Sequence, residues 1–244
     1  MTRVKASLSH FLISVVIFSL IVFILLYLWY PTPHFTASGG WQGLKIVAGV
    51  DVILGPLLTF IIFNVNKSKK ELFTDMSIIV LIQTVALVWG THALYQQRPV
   101  ALVFWEGSFI SVPARALTNQ NIDLNNLTQF GESLPVLIYA ERPQDAKKRK
   151  VFIEKVDNEH IPPHHQFGLY QPLKRHFSEL KTLQVDMDPL LKNNKSIQTA
   201  LEVVLLQSGS TRDDYQYYRL NAKYKNAILL FNNEGILENH LSYD

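Results

Sequence analysis

The chain contains no cysteine. That excludes disulfides, thiol redox chemistry and cysteine-based metal sites, so any part folded in an oxidising compartment relies on packing alone. Common enzyme signatures are missing too: there is no Gly-x-Ser-x-Gly, no His-Glu-x-x-His and no glycine-rich phosphate loop. No catalytic residue, cofactor or metal is expected. Charge imbalance is absent from the C-terminal part, where residues 96–244 hold seventeen basic and seventeen acidic side chains. An electroneutral segment has no basic stripe to hold a phosphate backbone, which excludes a nucleic-acid partner. The net charge of +3 arises wholly in residues 1–95, with six Lys/Arg against three Asp/Glu.

Those first 95 residues carry three long apolar runs, Phe11–Tyr30, Leu44–Val65 and Ser77–Tyr95. Each spans about 19–22 residues, enough helix to cross a hydrocarbon core of about 30 Å. The connection Pro31–Gly43 has no charge at all, whereas Arg3 and Lys5 precede the first run and Lys67, Lys69 and Lys70 follow the second. Positive charge stays in the cytoplasm. The expected layout is a three-helix membrane domain over 1–95 with a cytoplasmic N-terminus, then an exported domain over 96–244. A retained anchor is expected in place of a cleaved signal. The first run is long and ends in Tyr27, Trp29 and Tyr30, not at a small-residue cleavage site. Pro31 and Pro33 are expected to stop the first helix, which otherwise reads as a lipid-facing anchor.

The second run is the unusual one, because it carries Asp51. A carboxylate inside a membrane costs several kcal/mol unless paired or protonated, so it is a functional candidate by default. Lys45 can snorkel to the interface, whereas Asp51 lies about 10 Å deep, in the outer third of the expected span. Gly55 and Pro56 follow one turn later, and Pro56 tends to kink the helix. Spacing places Asp51, Gly55 and Leu58 on one face, and depth matching nominates His92 or Trp89 as the partner of Asp51. Helix assembly, recognition of a partner helix and ion chemistry are all open roles for this group.

Beyond Tyr95 the pattern shifts to short runs. Val100–Trp105 and Ser108–Val112 around Glu106-Gly107 predict a β-hairpin. Leu134–Ala140, Tyr215–Lys223, Asn226–Phe231 and Gly235–Leu241 predict strands, and Gln144–Val156 and Ser196–Gln207 predict helices. The exported part is therefore expected to be an α+β domain. His160, His164 and His165 around Pro162-Pro163 read as a solvated loop, and Lys147–Lys150 as a solvated helix face. Arg98, Phe109, Tyr215, Tyr217, Tyr218 and Arg219 are candidates for an interface, with core packing as the competing reading for the aromatic ones.

The block Gly49-Val50-Asp51-Val52-Ile53-Leu54-Gly55-Pro56-Leu57-Leu58-Thr59-Phe60, the lysine loop, a third span and Arg98-Pro99-Val100 resemble the TfpX/TfpZ family of type IV pilin accessory proteins. The resemblance implies a bacterial inner-membrane protein without enzymatic activity. It would bind the major type IV pilin, act like a chaperone and modulate pilus assembly, with the assembly machinery and inner-membrane lipid as further partners. Asp51, Gly55, Pro56, Lys45 and His92 would then shape the bundle or meet the partner. The rival expectations are a small ion-coupled transporter using Asp51 and a membrane-anchored sensor of a periplasmic ligand.

Overall fold

A computed structural model describes residues 2–30 and 34–242. The chain forms two compact units, Met1–Phe35 with Gly39–Gln96 and Thr36–Ser38 with Gln97–Asp244. The expected helix stops Pro31 and Pro33 lie outside the described residues.

Among the described residues the first unit contains three helices long and apolar enough to cross a membrane, α1 (Arg3–Trp29), α2 (Gly40–Ile62) and α3 (Lys69–Gln97). Thr2 caps α1 by accepting a hydrogen bond from the Lys5 backbone N–H. Large apolar side chains cover the outside of the helices, among them Leu12 and Val16 on α1, Ile53 on α2 and Leu81 and Trp89 on α3. Water would not tolerate so continuous an apolar coat, and hydrocarbon does. At one end Leu25, Tyr30, Phe35, Leu44, Val47 and Leu94 form a small core. There the Tyr30 hydroxyl donates to the Leu94 carbonyl at 2.7 Å.

The second helix begins and ends about one turn earlier than its apolar run suggests. Gly39 adopts φ +93°, a conformation glycine takes without strain, and starts α2 at Gly40. Phe63 turns extended and ends it. Asp51 is consequently eleven residues from either end of α2 and sits at mid-helix, not in the outer third. Residues Ala48–Leu54 are wound as a π-helix, and the Gly55 N–H reaches back to the Val50 carbonyl. Proline supplies the reason. Its ring crowds the carbonyl four residues before it, and a widened turn relieves that clash without breaking the helix.

The second unit is built on one seven-stranded mixed sheet. Its strands are β1 (Pro99–Trp105), β2 (Ser108–Pro113), β3 (Val136–Ala140), β4 (Tyr170–Pro172), β5 (Tyr215–Asn221), β6 (Ala227–Asn232) and β7 (Leu237–Ser242), in the order β4-β3-β1-β2-β5-β6-β7. The predicted hairpin is present. Glu106 and Gly107 both take positive φ in its two-residue turn, the geometry that matches strand twist. Two pairings are parallel, β1 with β3 and β2 with β5, and β5, β6 and β7 form an antiparallel meander.

Helices α4 (Ala146–Asp157) and α5 (Lys195–Ser208) cover the sheet, capped by Asp145 and Asn194 respectively. Every residue of β1 is buried, which explains its unbroken apolar sequence: a central strand covered on both faces has no outward row. Val103 and Trp105 face one cluster with Phe152 of α4, and Leu102 and Phe104 face another with Phe177 and Leu180. A third cluster packs Tyr215, Tyr217, Ile228 and Leu230 against Ile197, Leu201 and Val204 of α5.

The histidine loop departs from the solvated reading. The rings of His164 and His165 meet edge to face at 4.5 Å. The Tyr170 hydroxyl donates to the His164 carbonyl, and Gln120 donates to the His165 carbonyl. Burial, followed by His164 and Arg115 nearby, pushes the His165 imidazole down to about 4.

Two outcomes follow for the full chain in detergent. Phe109 is fully buried, with Phe231 stacked at 5.3 Å and Phe104 edge-on at 5.1 Å. Phe109→Ala lowers the stability of the sheet unit by about 3–5 kcal/mol in urea titration. The second outcome concerns pH. Unfolded His165 binds its proton near 6.5, while folded His165 refuses it down to about 4. The unfolded state therefore holds more protons in that window, and the urea midpoint falls as pH drops from 6.5 to 4. His165→Gln flattens that dependence.

Candidate functional site

The polar groups of the helical unit converge on one place. Ser14, Asp51, Thr59 and Gln83 are all at least nine-tenths buried, and all four line an open cleft of about 420 Å³ among the three helices. Ser9, His10 and Thr84 also line it, and the remaining walls are apolar, with Ile13 and Ile17 from α1, Phe63 from α2, and Ile79, Val80 and Leu87 from α3. The contributing residues of α1 and α3 recur every three or four positions, so each helix presents one stripe to the cleft.

Two hydrogen bonds tie α1 to α2 beside it. Ser7 donates to the Pro56 carbonyl at 2.8 Å, and His10 Nδ1 pairs with the Thr59 hydroxyl at 2.6 Å. The bond to α3 is longer, with Gln83 Nε2 donating to Asp51 Oδ1 at 3.5 Å. The other two oxygens of this pair, Asp51 Oδ2 and Gln83 Oε1, are buried without a hydrogen-bond partner in the structure. Such orphaned acceptors are costly in a low-dielectric setting.

Gly55 makes the approach of α3 close. A Cβ placed there would run into the Gln83 side chain, whereas one at Gly49 would meet nothing within 4 Å. The inward stripe of α2 is Asp51, Gly55, Thr59, with Pro56 also buried, and not Asp51, Gly55, Leu58; Leu58 is exposed. The π-helical turn explains the difference, because an extra residue per turn delays the next inward position by one.

The sequence-predicted residues are thus divided. Asp51, Gly55 and Pro56 come together at the cleft. His92 and Trp89 are exposed on α3, so neither meets Asp51, and Gln83 takes that place. Lys45 is exposed near the start of α2. In the sheet unit Phe109 and Tyr218 are fully buried, and Tyr215 and Tyr217 nearly so. The Tyr217 hydroxyl donates to the Arg212 carbonyl at 3.0 Å, and the Tyr218 hydroxyl donates to Gln216 Oε1 at 2.8 Å. Of that candidate interface Arg219 is exposed and Arg98 partly so; the Arg98 carbonyl accepts from the Ala114 N–H at 2.9 Å. Sequence reasoning passed over Ser14, Thr59 and His10. Ser14 and Ile21 face inward, so α1 is not simply a lipid-facing anchor.

Gly55→Leu should push α3 away and lower the melting temperature of the detergent-solubilised protein by several degrees, since overpacking costs about 1–3 kcal/mol. Gly49→Leu, made in the same helix into open space, should leave it unchanged.

Comparisons with known proteins give the family. The family model described as fimbrial assembly protein FimB matches residues 1–39. A fimbrial assembly protein of serogroups C1 and C2 from Dichelobacter nodosus is 38% identical over 125 residues, covering 51% of this chain and 92% of that protein. The serogroup I protein of the same organism is 40% identical over 100 residues, covering 41% of this chain and 39% of the relative. The serogroup E1 protein is 38% identical over 161 residues, covering 62% and 60% respectively. No solved structure matches. Identity of this level across nearly the whole of one relative establishes kinship: the chain belongs to the fimbrial assembly protein family of type IV pilus accessory proteins.

Proposed function

We propose that this protein is a membrane-bound, non-catalytic accessory factor that binds the major type IV pilin and modulates pilus assembly. The observation that carries the reading is the open intramembrane cleft with its buried Asp51, in a chain of the fimbrial assembly family. A bundle that needed only to anchor a domain would close its helices on one another. This one keeps an open cleft with apolar side chains such as Ile13 and Val80 exposed at its edges, which suits a second apolar helix laid along the mouth. A pilin awaiting assembly offers such a helix.

Charge asymmetry supports the orientation. The lysine loop and the N-terminus belong in the cytoplasm, and the sheet unit belongs in the periplasm of a bacterial inner membrane. In that arrangement the cleft, lined by the N-terminal half of α1, the C-terminal half of α2 and the N-terminal half of α3, occupies the cytoplasmic half of the bilayer. The exported sheet unit then supplies contacts to the pilin head, and Arg219 is available for them.

Photo-crosslinking in cells tests this reading, with probes at Ile13 and Thr84 in the cleft and at Arg219 on the sheet unit. Adducts with the major pilin are expected from the cleft positions. If the protein is intact and abundant yet no position captures pilin, direct binding is wrong.

A further inference from the structure

We infer that the groove between α4 and β4 of the sheet unit is a docking surface for an acidic segment of the pilin's exported head. The inference rests on the pilin-binding reading above and names the chemistry of one head contact.

Three observations lead to it. Helix α4 has no buried residue. It rests on the sheet through Phe152, whose ring meets Trp105 at 6.1 Å, and beside that contact a groove of about 900 Å³ opens between the helix and residues 168–171. Next, the basic run of the helix is divided. Lys147, Lys148 and Lys155 line the groove, on one stripe with Val151 by helical spacing. Lys150 does not line it, and Arg149 donates to the Pro143 and Gln144 carbonyls. Finally, the acids beside these lysines are already engaged. Asp145 caps α4 by accepting from the Lys148 backbone N–H, and Glu141 accepts from the Tyr139 hydroxyl at 3.3 Å. Ion pairs among the described residues involve Lys67, Arg142, His176 and Arg212, so the three ammonium groups of the groove have no carboxylate of their own.

The groove selects its occupant. Its ammonium groups call for carboxylates, and in a unit of balanced charge their gathering at one concavity is a local feature. Between them Val151 is 49% exposed, and Leu169 adds a second apolar wall. Lysine stems lie along such surface while their ammonium groups stay in water. An acidic segment with an apolar side chain among its carboxylates meets both features. A flat anionic membrane surface does not enter a concavity, and Glu141 at the groove repels anionic headgroups. Opposite charges across such a contact speed encounter and reject wrong partners, and salt screens them.

The test uses the full-length protein in its native membrane, with a photo-probe at Val151 beside those at Ile13 and Thr84 and the major pilin as the captured species. Adducts with pilin are expected from Val151. Lys148→Glu combined with Lys155→Glu is expected to lower capture there at least about tenfold. Lys148→Arg combined with Lys155→Arg is expected to retain it. Lys150→Glu, a reversal on the same helix outside the groove, is expected to leave it unchanged. Membrane abundance and melting temperature of each variant are measured alongside. Pilin captured at Ile13 and Thr84 but absent at Val151 overturns the inference while leaving pilin binding standing. So does capture by the abundant double reversal at the wild-type level, or an equal loss from Lys150→Glu. Val151 adducts with phospholipid alone overturn it too, and assign the groove to the membrane surface. Absence of pilin from every position overturns the pilin-binding reading itself.

Discussion

A carboxyl group carried to mid-membrane has to be met by something polar, and the helical unit is arranged around that obligation. Asp51 fixes which face of α2 turns inward. Gly55, one turn on, has no side chain, so Gln83 of α3 can reach across. Pro56 would break the ladder of a regular helix at this depth, where unsatisfied backbone groups are costly, and the π-helical winding before it absorbs the clash. Ser7 takes up the Pro56 carbonyl from the neighbouring helix. Each of these features is intelligible only beside the others.

The balance of forces in the two units is different. Lipid solvates apolar side chains as readily as other side chains do, so the helices gain little from burial and associate through small residues and a few hydrogen bonds. That is why a cleft can persist among them. The sheet unit is held by burial. Its central strand is covered on both faces, and aromatic rings from β1, β2, β5 and β6 interlock in one cluster. It needs no cysteine because its packing is dense.

Much of this was legible in the sequence, and the failures have physical causes. Apolar runs and lysine placement mark the three helices because hydrocarbon imposes both length and composition. The Glu106-Gly107 hairpin is legible because its turn demands two positive φ angles. The ends of α2 were misjudged because apolarity does not mark a boundary that the backbone of Gly39 decides. Depth matching chose His92 in place of Gln83 because it presumed regular winding and the wrong starting point. The tyrosines of β5 gave an ambiguous signal: alternation on a strand covered on both sides looks the same whether a ring faces core or partner. No pattern flagged Ser14, since a lone serine in an apolar helix carries no direction of its own.

The parallel pairing of β2 with β5 has a consequence in time. Ser108 sits opposite Arg219, so 111 residues separate partners that lie side by side. The hairpin of β1 and β2 is made early and local in sequence, but one of its edges cannot be completed until β5 has been synthesised. At about 5–20 residues per second that interval is roughly 5–20 s. During it an apolar hairpin stands with an open strand edge, which is a template for pairing with any extended chain nearby. The strand Tyr215–Asn221, near the end of the chain, is therefore what closes this edge, and a chain cut short before residue 215 would leave it open permanently.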